Sequence, residues 1–98
     1  PSLEKELQIV RARVPEAGER LTRQVVMFVR QLRRMDLYKL PGVAETLDWV
    51  NALVALDTTE LSVGVVEDTL GAILKFQDDI AQVRGRQVDE LLKKAVTS

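Results

Sequence analysis

From Leu3 to Leu92 the apolar residues fall three and four positions apart almost without interruption, and polar and apolar residues never alternate for long enough to make a strand. A period near 3.6 gathers such residues on one face of a helix, whereas a half-buried strand needs a period of two. The expected fold class is all-α, a compact bundle of four to five short helices. Ser2 can accept a backbone N–H and so caps a first helix, with Glu4 and Glu6 near its positive end and Leu3, Leu7, Val10 and Val14 facing inward. Pro15, which supplies no N–H, and Gly18 then interrupt the pattern.

A second helix over 18–35 has the stripe Leu21, Val25, Phe28, Leu32 and Met35. Arg20, Arg23, Arg30, Arg33 and Arg34 flank that stripe, which makes one side strongly basic. After the connector "DLYKLPG", a third helix over 42–56 carries Val43, Leu47, Val50 and Val54 on one line and Trp49, Leu53 and Leu56 on the next. So wide an apolar surface predicts a central helix. Ser62 is placed to cap a fourth helix from 63 to 75 or beyond, with Val66, Leu70, Ile73 and Leu74 inward and Phe76, Ile80 and Val83 continuing the period. Gly85 is the natural break before a last segment, 87–96, that buries Val88, Leu91 and Leu92.

The chemistry open to such a chain is narrow. Its 98 residues bury only about 60 to 65 percent of the unfolded surface, which leaves little room for an enclosed active site. With no cysteine and no histidine, disulfides, thiol nucleophiles, the usual zinc sites and histidine-based triads are all excluded. No Gly-x-x-x-x-Gly-Lys-Ser/Thr loop is present to cradle a triphosphate. The adjacent acids Glu67–Asp68 and Asp78–Asp79 point about 100° apart on a helix, so they converge poorly on a metal and read as a solvated acidic face. The apolar stretches are shorter than the roughly 20 residues that span a bilayer, and the N-terminus has no signal-peptide core. The chain reads as cytoplasmic, with no membrane partner.

Charge is unevenly spread. Residues 1–40 hold nine Lys/Arg against five Asp/Glu, and residues 41–98 hold five against ten. The basic half can meet phosphates, an acidic neighbour, or the acidic half of the same domain. Arg23, Arg30, Arg33 and Arg34 are the candidate interaction surface. Nucleic acid is a poor partner for them, because no aromatic residues interleave for stacking and net charge is slightly negative. Trp49, on an apolar line, reads as a core residue rather than a ligand platform.

The start of the third helix is the other candidate site. Tyr38, Lys39 and Leu40 precede Pro41, so no side chain of the usual capping types stands before the apolar run. Free N–H groups at a positive helix end suit an anion, and Gly42 would let one approach closely. Against that, Pro41 can occupy the first helical turn, with Glu45 and water satisfying the remaining donors. Capping and charge alone favour this second reading.

Taken together, "LTRQVVMFVRQLRRMDLYKLPGVAETLDWVNALVALDTTELSVGVVEDTLGAILKFQDDIAQVRG" resembles the C-terminal lid of MoxR-type AAA+ ATPases. Pro-Gly-Val-Ala-Glu-Thr-x-Asp-Trp, from Pro41 to Trp49, and Thr-Leu-Gly-x-x-x-Lys, from Thr69 to Lys75, carry most of the likeness. The opening "PSLEKELQIVRARVP" is similar to the stretch that leaves the family's ATPase core. The resemblance implies a lid fragment that packs over nucleotide bound to an upstream AAA+ core of the same chain and relays motion around a ring of identical subunits, commonly a hexamer. It implies ATP and Mg in the parent protein, none bound by the fragment alone, and chaperone-like maturation of partner complexes, often with a von Willebrand factor A-type partner. Pro41, Gly42, Val43 and Glu45 would form the nucleotide-facing helix start. Many AAA+ lids place a sensor 2 arginine there, where this chain has Val43, so a basic residue from elsewhere or packing alone would have to serve. The competing expectation is a free-standing helical adaptor that grips an acidic protein through its basic second helix.

Overall fold

The computed structural model of the chain describes residues 2–84 and 86–97, apart from the side chain of Arg86. Among the described residues there are six α-helices and no strand: α1 (Leu3–Arg13), α2 (Gly18–Leu32), α3 (Val43–Ala55), α4 (Val63–Thr69), α5 (Gln77–Val83) and α6 (Arg86–Thr97). The break expected at Gly85 lies outside the described residues. No described helix is long and apolar enough to cross a membrane.

Local chemistry sets the boundaries. Ser2 Oγ accepts the Lys5 N–H at 3.2 Å and opens α1. Pro15–Ala17 forms a single 3-10 turn, and Gly18 leaves it at φ 78°, a left-handed conformation that favours glycine. α2 ends at Leu32, short of the expected 35, because Arg34 and Met35 donate to Gln31 and Leu32, three residues back, and tighten the last turn. Ser62 Oγ caps α4 through the Val65 N–H.

The fourth helix expected from 63 to 75 stops at Thr69 and gives way to a 3-10 turn, Leu70–Ala72. The Thr69 hydroxyl donates to the Val65 carbonyl at 2.6 Å, a back-bond that bends helices, and Gly71 follows with poor helix propensity. Leu70, Ile73 and Leu74 are nonetheless buried as expected. Phe76 is instead half exposed, and the chain restarts after it as α5.

One cluster of buried side chains joins all six helices. The Cα radius of gyration is 12.1 Å, against about 13 Å for a packed chain of this length. The central position expected of the third helix falls to α2, which packs against α1, α3 and α6. α2 buries seven side chains, and α3 buries four, Thr46, Trp49, Val50 and Leu53. Val43, Leu47 and Val54 are only partly buried and Leu56 is exposed, so the inward face of α3 is narrower than its sequence suggests. Trp49 is a core residue: its ring lies 5.4 Å from that of Phe28, tilted 57°. Its Nε1–H donates to Thr69 Oγ1 at 2.8 Å.

Candidate functional site

The end of α2 and the beginning of α3 meet over a carboxylate contributed by α1. Glu6 is completely buried, although its charge marks it as a surface residue. Arg33 Nη1 and Nη2 donate to its two oxygens, each at 2.7 Å, in a bidentate pair. Arg33 Nε donates to the Pro41 carbonyl, also at 2.7 Å. The Thr46 hydroxyl lies 3.1 Å from both Glu6 Oε2 and the Gly42 carbonyl, so its one proton has two acceptors in reach. Burial by itself pushes the Glu6 carboxyl up. The hydrogen bonds and charge of Arg33, with Thr46 and Arg30, outweigh it and hold Glu6 below the usual carboxylate range.

This node fixes the candidate helix start. Pro41 is buried and precedes the helix rather than occupying its first turn, and Gly42 is the N-cap. Glu45 Oε1 accepts the Gly42 N–H at 2.8 Å, so the helix supplies its own capping carboxylate from three residues downstream. The bonds from the Gly42 N–H and its own N–H, together with Lys75 and Lys39 nearby, outweigh partial burial and hold Glu45 below the ordinary carboxylate value. An anion approaching this helix end would meet that negative charge and would not find the Gly42 N–H free.

The arginines of the basic side separate into different roles. Arg33 is committed to the interior, its side chain 21% exposed. Arg30 sits at the edge of the node, 3.9 Å from Glu6. Arg23 and Arg34 are exposed. Arg30, Arg33 and Arg34 line a cleft of about 690 Å³ together with Leu3, Met27, Gln31, Gly42 and Val43. The fold thus gathers Gly42, Val43 and three of the four arginines around one opening, while Arg23, Pro41 and Glu45 do not line it. Arg20, also on this helix, pairs with Glu60 at 3.5 Å and links the basic and acidic halves of the chain. Arg11 instead pairs with Glu4 and Glu19 of its own half.

The expected acidic face needs one correction. Asp78 is exposed, but Asp79 is buried, and its two oxygens accept the backbone N–H groups of Tyr38 at 2.9 Å and Lys39 at 3.1 Å. Asp79 therefore anchors the connector between α2 and α3. That connector holds Tyr38 outward at 77% exposure, against the ring of Phe76. Among the described residues no group of three acidic, histidine or cysteine side chains is placed to hold a metal ion. Nor does any buried side-chain nitrogen or oxygen there lack a hydrogen-bond partner.

Of the four buried polar residues among those described, Glu6, Thr22, Thr46 and Asp79, none of which the sequence reading placed in the interior, Glu6, Thr46 and Asp79 bear on this site. Each stands on an apolar period: Glu6 with Leu3, Leu7 and Val10, Thr46 with Trp49, Val50 and Leu53, and Asp79 with Ile80 and Val83. A polar residue at such a position is the signal that would have marked them for burial. Compared with models of known protein families, with curated proteins and with solved structures, the chain matches none.

Proposed function

We propose that the chain is the non-catalytic helical lid of a MoxR-type AAA+ ATPase, packing over a nucleotide held by an upstream core and passing ATP-driven motion to neighbouring subunits of a ring. The supporting observation is the position of the cleft. Leu3, in the first turn of α1, lies within the stretch that resembles the passage out of the ATPase core, and it lines the same opening as Gly42 and Val43 at the start of α3. A lid needs that juxtaposition, because its joint with the core and the edge it turns toward nucleotide must lie on one side of the bundle. The Glu6–Arg33 node behind the opening ties α1, α2 and α3 together, so a push at α1 reaches α3 through short, charge-assisted bonds rather than through a loose loop. ATP and Mg, a cytoplasmic setting, chaperone-like maturation of partner complexes and a von Willebrand factor A-type partner belong to the same reading.

The test is twofold. The 98-residue chain should neither hydrolyse ATP nor bind it with micromolar affinity in calorimetry, and the coding sequence upstream of Pro1 should contain a Walker A loop. Micromolar binding, or an upstream segment without that loop, overturns the proposal.

A second reading is favoured by one observation. Arg23, Met27 and Arg30, at spacings of four and three, share one face of α2 and lead to the exposed Arg34. Such a face suits an adaptor that grips an acidic protein. It predicts that a glutamate-rich peptide binds with comparable contributions from Arg23 and Arg34, and a Walker loop directly upstream would dispose of it.

A further inference from the structure

We propose that Arg34 supplies from the end of α2 the cationic contact to a phosphate chain that Val43 cannot make from the start of α3. The inference rests on the lid reading above and assigns residues within it. Two other sources of positive charge at the cleft are ruled out by their partners. The Gly42 N–H is taken by Glu45, whose carboxylate repels a phosphate. Arg33 directs both terminal nitrogens to Glu6 and its Nε to the Pro41 carbonyl.

Arg34 is different. It lines the cleft, is exposed, and makes no ion pair or side-chain hydrogen bond among the described residues. Among the described residues no acidic side chain lines the cleft, and the Glu6 carboxylate behind it pairs with Arg33 and Arg30, not with Arg34. Among the described residues Arg34 therefore brings to the opening a positive charge that no carboxylate there matches. A guanidinium presents a planar fork suited to two phosphate oxygens, which a lone ammonium does not. Leu3, Met27 and Val43 add apolar wall to the same opening. Its volume of about 690 Å³ falls in the usual range of small-molecule sites. A ligand that is anionic at one end and flat and apolar at the other, a nucleoside triphosphate, matches both parts of that lining.

The experiment is an amide chemical-shift titration of the 98-residue chain with ATP and with inorganic tripolyphosphate at low salt. Both ligands should move the signals of residues 30–34 and 42–43, with a dissociation constant on the order of 1 mM and a marked weakening by salt. Arg34→Ala should weaken binding about fivefold or more, with Arg34→Lys intermediate and Arg23→Ala, outside the cleft, at the level of the unsubstituted chain. Val43→Arg, which restores a cation at the position the lid reading assigns to phosphate, should tighten binding. If Val43→Arg tightens binding while Arg34→Ala changes nothing, Arg34 is not the contact and the lid reading stands. If neither ligand moves the cleft signals, the assignment of Arg34 fails, while the lid reading, which needs no ATP bound by the fragment alone, stands or falls on the Walker A loop upstream. Equal losses from Arg23→Ala and Arg34→Ala, with a glutamate-rich peptide binding as well, overturn the inference in favour of an extended acidic partner.

Discussion

Replacing Arg33 by methionine keeps most of the aliphatic stem and removes the guanidinium, so it isolates what the charge contributes. Glu6 would then be a fully buried carboxylate holding only the Thr46 hydroxyl and Arg30, the latter 3.9 Å away. Losing one partner of a buried pair costs about 3–5 kcal/mol. Proton uptake limits that cost. Starting from the ordinary value of 4.5, neutralising the group at pH 7 takes about 3.4 kcal/mol at 1.36 kcal/mol per pH unit. The expected loss at pH 7 is therefore about 3 kcal/mol. In urea melts followed by Trp49, the only tryptophan, it should lower the midpoint by about 1–3 M.

The dependence on pH is the sharper signature. In the unsubstituted protein the Glu6 carboxyl is held below its ordinary value, so its contribution is present above about pH 4.5 and is lost as pH falls further. In Arg33→Met, burial is no longer outweighed and pushes the group up, so the deficit should shrink steadily between pH 7 and pH 4.5. Replacing both partners, Glu6→Leu with Arg33→Met, should recover most of the loss, because no buried charge is left alone. A deficit below about 1 kcal/mol, or one that does not change with pH, would show that water reaches Glu6 once Arg33 is gone and would refute the reasoning.

Other consequences follow from single residues. Thr69→Val keeps the side-chain shape but leaves the Trp49 Nε1–H without its acceptor; it should cost about 1–3 kcal/mol and change the tryptophan emission. Asp57 sits at φ 57° just past α3, where its N–H donates to Val54 and the Thr58 N–H to Leu53, a Schellman arrangement that prefers glycine. Asp57→Gly should raise the urea midpoint, with a gain of about 1 kcal/mol. Asp79→Ala frees the Tyr38 and Lys39 amides and should speed their hydrogen exchange far more than that of the amides within α2.

The helices were legible because their information is local. Ser2 and Ser62 cap where a hydroxyl before an apolar period should, and the Pro15–Gly18 interruption appears as a 3-10 turn and a left-handed glycine. The boundary at Thr69 was less legible, since the apolar period runs on through Leu70, Ile73 and Leu74 while a hydroxyl back-bond bends the chain. The polar interior was hardest to read, because its partners are remote in sequence: Glu6 meets Arg33 27 positions later, and Asp79 reaches back 41 to Tyr38. The apolar period of Leu3, Leu7 and Val10 marks Glu6 for burial, but nothing near it in sequence names the two helices that enclose it. At the candidate site, the basic side of α2 was visible as a pattern. The split between Arg33, turned inward, and Arg34, left outward, depends on where α1 delivers Glu6.

The seating of α6 on α2 also bears on how the molecule is made. Synthesis proceeds from the N-terminus, and α2 emerges from the ribosome well before residues 86–97 exist. Until then the part of α2 that α6 will cover has no native lining, and the half-built bundle presents apolar surface to the cell. The helix at the centre of this bundle is thus, from its emergence until α6 follows, the segment most in need of shelter, and the arrival of α6 ends that exposure.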